Sequence, residues 1–215
     1  MSRWATAYKR PLVTMKKLVL FLLAMLPYVS IMAQQDSEGY WDITQKQDNG
    51  ITLRHLQTPY QRIRRKVIVE PKNLDTDIFV SYYNVLTSET FKNGKKRVRY
   101  KLGFSIEDHI DFDVVKNDRL LIKLKNGQLI TLKTSEDCPA NYLSDGKYHA
   151  SVSYVVTAQQ LNSIVNFGVT KFRIETQFRN LDVEPDFDVA ETTKEYKTGL
   201  YDRLKNKKDS FTSGF

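Results

Sequence analysis

The densest run of ligand-type side chains is Glu107-Asp108-His109-Ile110-Asp111-Phe112-Asp113. On an extended chain Glu107, His109, Asp111 and Asp113 point the same way, with same-face Cβ atoms roughly 6.5 to 7 Å apart, and such side chains can close on one hard cation. No glycine-containing calcium-loop spacing accompanies them, and Ser105 is equally able to cap a helical turn that would scatter the four. The plainer reading buries Ile106, Ile110, Phe112 and Val114 and leaves the acids in water, and it outweighs the cation site.

A second cluster is cationic. Lys92, Lys95, Lys96, Arg97, Arg99 and Lys101 gather at one turn and along one face of the strand that follows. Lys and Arg meet phosphate or sulfate through charge-assisted hydrogen bonds, so this face suits an anionic glycan, a lipid headgroup or nucleic acid. The segment Tyr60-Gln61-Arg62-Ile63-Arg64-Arg65-Lys66 is a candidate extension. Against this stands a solvated strand face whose charges guard an edge, with Glu89 neutralising part of it if it lies across from Arg97.

Cys138 with His55, His109 or His149 supplies the residue types of a thiol nucleophile and its base, but no local signature joins any pair. A lone cysteine is more often a small buried hydrophobe. One cysteine also excludes an intramolecular disulfide, a CxxC redox site and a four-cysteine zinc site. No GxSxG, HExxH, Walker glycine loop or dinucleotide fingerprint occurs, so no catalytic residue and no cofactor are expected. Trp41 beside Tyr40, and the pair Tyr82-Tyr83, are read as core aromatics before they are read as sugar platforms.

The elements that must carry these residues are announced by turns. Asp48-Asn49-Gly50, Lys92-Asn93-Gly94 and Lys125-Asn126-Gly127 are hairpin signals, with Asp145-Gly146 a weaker fourth. In the third, Leu120, Ile122 and Leu124 face Ile130 and Leu132 only if Lys125-Asn126-Gly127 forms a three-residue loop with Gly127 left-handed. The second turn joins a run over Ile78–Leu86 to one in which Val98, Tyr100, Leu102 and Phe104 alternate with Arg97, Arg99, Lys101 and Gly103. Further strands are predicted over Lys66–Glu70, stopped by Pro71, and over Tyr148–Val156. Thr157 and Gln160 then make a capping box for a helix over Ala158–Asn166, with Leu161, Ile164 and Val165 on one stripe and Gly168 as the stop. It feeds a strand holding Phe172, Ile174, Thr176 and Phe178, which is expected to end the core. Beyond Asp186 the chain is polar, although Val189, Thr193, Tyr196, Leu200 and Leu204 fall at helical spacing.

Near the start, Met15-Lys16-Lys17 precedes the uninterrupted apolar run Leu18 to Leu26, and Pro27 and Ala33 follow. This is the pattern of a signal peptide over 15–33, preceded by a 14-residue extension from an early start codon. The run is too short for a transmembrane anchor, and no cysteine lies nearby to take a lipid. The full chain carries +8, but its first 35 residues hold five basic and no acidic side chains, so removing them leaves 28 basic against 25 acidic residues and only +3. That weak balance argues against nucleic acid as a partner.

The sequence therefore points to an exported protein of a Gram-negative bacterium, periplasmic, surface-bound or secreted. Its expected fold is α+β and mostly antiparallel β, sandwich-like or a sheet with one packed helix, in a single domain over 34–185 followed by a polar tail over 186–215. A non-enzymatic binding or structural module leads the functional readings. A polyanion binder, with an anionic glycan or envelope component as partner, comes second, and a metal-dependent hydrolase or calcium-stabilised domain third. Protein recovered from native cells is expected to begin within a few residues of Gln34 on amino-terminal sequencing; cytosolic material starting at Met1 or Met15 would contradict export.

Overall fold

A computed structural model describes residues 31–205, apart from 48, 64–65, 71–77, 110, 144 and 178. The predicted leader before Ile31, Asp48, Arg64, Arg65, Pro71, Ile110, Phe178 and the end of the tail lie outside the described residues. Among the described residues thirteen strands and two helices follow in order. They are β1 (Ile31–Gln35), β2 (Trp41–Lys46), β3 (Thr52–Gln57), β4 (Gln61–Ile63), β5 (Lys66–Glu70), β6 (Phe79–Thr90), β7 (Lys96–Asp108), β8 (Arg119–Leu124), β9 (Leu129–Lys133), β10 (Asn141–Tyr142), β11 (Tyr148–Val156), α1 (Ala158–Phe167), β12 (Val169–Glu175), β13 (Asn180–Glu184) and α2 (Val189–Lys205). The result is a β-rich α+β domain with a curled sheet and a packed helix, as the turn density implies.

The larger sheet runs β1-β2-β3-β6-β7-β11-β10, with β4 also paired to β6; the smaller runs β5-β13-β12-β8-β9. Every strand pair is antiparallel. Five hairpin turns share one construction. Asp36/Tyr40, Gln47/Ile51, Phe91/Lys95, Leu124/Gln128 and Leu143/Lys147 close three-residue loops, each with a left-handed glycine in third place. In three of them the Asn carboxamide oxygen accepts the amide two residues on, as Asn126 does from Gln128 at 3.0 Å. The loop length over 125–127 sets Leu120 opposite Leu132 and Ile122 opposite Ile130, the register the apolar pattern requires.

The core lies between the two sheets. Leu102, Phe104 and Ile106 of β7 and Tyr82 and Leu86 of β6 point inward against Ile122, Phe172, Ile174, Leu181 and Val183. The Phe104 and Phe172 rings meet edge-on across the gap at 5.0 Å, and Tyr82 stacks on Phe172 at 5.9 Å. β3 and β4 address different stretches of β6, and Thr58 bridges the break. Its amide donates to the Asn84 carbonyl, and its hydroxyl accepts the Asn84 amide, both at 3.0 Å.

Helix α1 carries the predicted capping box, in which the Thr157 hydroxyl accepts from the Gln160 amide and the Gln160 side chain accepts from the Thr157 amide. It links β11 of one sheet to β12 of the other. The core does not end at β12: that strand stops at Glu175, the short strand β13 adds Leu181 and Val183, and α2 buries Val189, Thr193 and Leu200. α2 is tied down at both ends. Thr193 meets the core Tyr82 hydroxyl at 2.9 Å, and the Arg203 guanidinium lies 3.6 Å above the Tyr40 ring while pairing with Asp36 and Glu38. Strand β1 straddles Ala33, so scission there would leave only Gln34 and Gln35 opposite Asp42 and Trp41.

On the outer side of the smaller sheet, Asp182 is 4% exposed and takes Arg173 in a two-pronged pair at 2.5 and 2.7 Å, with Lys171 against the same carboxylate. Burial alone would raise its pKa, but hydrogen bonds and charge from Arg173 and Lys171 outweigh burial and lower it below 3.8. The stabilisation is therefore fully present above the unfolded value and is lost as pH falls through the lower folded one. Asp182→Asn is expected to cost about 2 kcal/mol at pH 7, with the gap to the parent shrinking as denaturation is followed below pH 4.

Candidate functional site

With the even-numbered residues from Val80 to Ser88 and from Tyr100 to Asp108 buried, the odd-numbered ones of β6 and β7 form the outer face of the larger sheet. The register places Phe79 beside Glu107 and His149, Ser81 beside Ser105 and Ser151, and Tyr83 beside Gly103 and Ser153. Val85 lies beside Lys101, Thr87 beside Arg99, and Glu89 beside Arg97. β3 extends the same face with Gln57, His55 and Leu53.

Tyr83 organises this face. Its ring lies over Gly103 so closely that a Cβ there would stand 2.3 Å from the ring atoms. From there its hydroxyl reaches Ser151 on β11 at 2.7 Å, and Tyr60 covers it edge-on at 5.1 Å. Burial pushes the phenol up to about 12, so it remains a neutral hydrogen-bonding group.

Beside this ring opens a cleft of about 390 Å³. β3, β6, β7 and β11 line it with His55, Gln57, Tyr83, Thr87, Glu89, Arg99, Lys101, Ser151 and Ser153, and the β9–β10 connection adds Glu136 and Cys138. Two ion pairs bracket it: Arg99 Nη2 to Glu89 Oε1 at 3.6 Å and Lys101 Nζ to Glu136 Oε1 at 3.9 Å. Burial, with Lys101 close by, holds the His55 imidazole below the usual histidine range, so it is neutral at pH 7. Burial, reinforced by Glu136, raises the Cys138 thiol, which is therefore protonated at neutral pH. The fold thus brings Cys138 and His55 into one cleft, but with the thiol in its unreactive form.

A nucleophile-like contact lies further along the face, where Ser105 Oγ sits 2.9 Å from His149 Nε2. Ser105 is in mid-strand between Ser81 and Ser151, so the surrounding backbone amides are committed to the ladder. Acyl transfer needs donors aimed at a developing oxyanion, and amides already paired in a ladder do not supply them. No sequence spacing announces this pair, because Ser105 and His149 meet only through the β7–β11 register.

The six basic residues divide between the turn after β6 and one face of β7. Lys92, Lys95, Lys96 and Arg97 are exposed around the turn, with the Lys92 chain lying against Gly50 of the neighbouring turn. Arg97 and Arg99 share Glu89, the pairing expected from a position across from Arg97, while Lys101 reaches into the cleft. Arg62 stands at the opposite end of β6, over the Phe79 ring at 4.2 Å.

Of the four acidic-run residues, only Glu107 is in β7, which ends at Asp108; His109 and Asp111 are exposed beyond its end. Asp113 accepts the Ala140 amide at 2.7 Å, and Asp111 is raised by burial and by the neighbouring Asp113. Among the described residues no three His, Cys, Asp or Glu side chains are grouped to hold a metal ion. Trp41 is 38% exposed, and Tyr82 is a core residue.

Comparison of the chain with protein-family models, curated proteins and solved structures gave no match. Among the described residues no helix is long and apolar enough to cross a membrane.

The Tyr83–Gly103 contact makes a specific prediction. Gly103→Ala is expected to cost about 1 to 3 kcal/mol from overpacking, whereas the same change in a Tyr83→Ala background should be nearly neutral. Denaturant melts of the four-member cycle measure that coupling.

Proposed function

We propose that this protein is an exported, non-enzymatic binding module and that it binds through the outer face of its larger sheet. The observation behind this reading is the concentration of small hydroxyl side chains, aromatic rings and charged groups on that one face. Ser81, Ser105, Ser151 and Ser153 make a low polar floor across three adjacent strands, with Tyr60, Tyr83 and Phe79 standing around it. A paired sheet holds such groups in fixed relative positions, so little ordering cost opposes binding. The protonated Cys138 thiol and the strand-bound Ser105 both favour recognition over covalent chemistry. The leader pattern supports placing this face outside the cytoplasm.

A thermal-shift screen of metals, anionic glycans and cell-wall fragments tests the reading. A ligand at a hundred times its Kd is expected to add about 2.7 kcal/mol, with no turnover of glycans, peptides or esters. Turnover that disappears in Ser105→Ala would contradict it.

A further inference from the structure

Lys101 is the unusual member of the cleft. Its side chain is only 14% exposed, yet the ion pair it makes, with the 66%-exposed Glu136, spans 3.9 Å. That separation is beyond hydrogen-bond length, so the ammonium offers donors that Glu136 does not take up. His55 and the Cys138 thiol, the cleft groups that feel the Lys101 charge, are both uncharged at neutral pH. A recessed cation whose one anionic partner stands beyond hydrogen-bond length favours an incoming anion that can close that distance, because the low local dielectric strengthens the attraction. Arg99 adds a second positive group held by Glu89 at 3.6 Å, also beyond hydrogen-bond length.

The rest of the face suits a sugar chain as the carrier of that anion. Past the Tyr83 ring, which lies over Gly103 beside Lys101, the surface continues as the serine floor, with the half-exposed Tyr60 ring next to it. Hydroxyl groups facing hydroxyls, and ring faces beside carbon-bound hydrogens, are what a polyhydroxylated ligand requires.

Resting on the proposal that this face is the binding surface, we propose that Lys101 seats a carboxylate carried by a linear acidic glycan, and that Glu136 occupies the seat until the ligand displaces it. Glu136 lies on a connection and is largely exposed, so its carboxylate can leave for water at little cost.

The test titrates the full chain by calorimetry with polygalacturonate and with its neutral methyl ester. The acid form is expected to bind at least about tenfold more tightly, the equivalent of one charge-assisted hydrogen bond. Lys101→Met should erase the preference and Lys101→Arg retain most of it, with melting temperatures confirming that each variant is folded. Glu136→Gln, a change at an exposed position, should raise affinity for the acid severalfold, because the competing carboxylate is gone. Equal binding of acid and ester, or Glu136→Gln weakening the acid, would overturn the carboxylate seat while leaving the face as a binding surface. Failure of both glycans and of every other screened ligand to bind would overturn the surface itself. Duplex DNA binding with the same dependence on Lys101 would overturn the choice of a glycan.

Discussion

The register between β6 and β7 is the constraint on which this molecule depends. The three-residue loop after Phe91 sets twelve consecutive residue pairs, from Thr90 opposite Lys96 to Phe79 opposite Glu107. Because a strand has a period of two, that one choice sends Tyr82, Leu102 and Phe104 into the core and Tyr83, Lys101 and Gly103 to the other side. A slip of one residue would bury Lys101 and Arg99 and expose Leu102 and Phe104. The adjacent tyrosines Tyr82 and Tyr83 show the division directly. One joins the ring cluster with Phe104 and Phe172, and the other covers a glycine on the outer face.

The same register accounts for the chemistry of the outer face. Small residues on three adjacent strands fall in line, so the sheet has a low floor where bulkier neighbours would have filled it. Charges on that face are offset by partners remote in sequence: Glu89 for Arg97 and Arg99 across the hairpin, Glu136 for Lys101 from the β9–β10 connection. The face is consequently polar and nearly balanced, unlike the uniformly basic stripe the β7 sequence displays in isolation. A rigid, balanced, hydroxyl-rich surface is suited to recognising a ligand. The thiol on it is held protonated by burial, and the serine lies in mid-strand with the neighbouring amides in the ladder.

Much of the architecture was legible because its determinants are local. Asn-Gly turns specify hairpins within five residues, the Thr157/Gln160 box specifies a helix start within four, and alternating apolar residues specify β7, β9 and β11. β13 was missed because Asn180, Asp182 and Glu184 leave only Leu181 and Val183 as an apolar signal, and its charged side is satisfied by Arg173 and Lys171 on a neighbouring strand. α2 shows in the sequence only as a helical spacing within a polar tail. Its anchors, Arg203 on Tyr40 and Thr193 on Tyr82, connect segments more than a hundred residues apart. The cleft was illegible for the same reason. His55, Lys101 and Cys138 carry no common spacing, and the one local clue, Gly103 interrupting a strand, acquires meaning only when Tyr83 is found above it.

The most direct measurement of the β6–β7 register is the proton spectrum of Gly103. With the Tyr83 ring lying over it, its α-proton resonances are predicted to be displaced strongly upfield by the ring current and to show cross-relaxation with the Tyr83 ring protons. Gly103 resonances at ordinary strand positions, with Tyr83 ring contacts instead to Leu102 or Phe104, would contradict the register and with it the outer face described above.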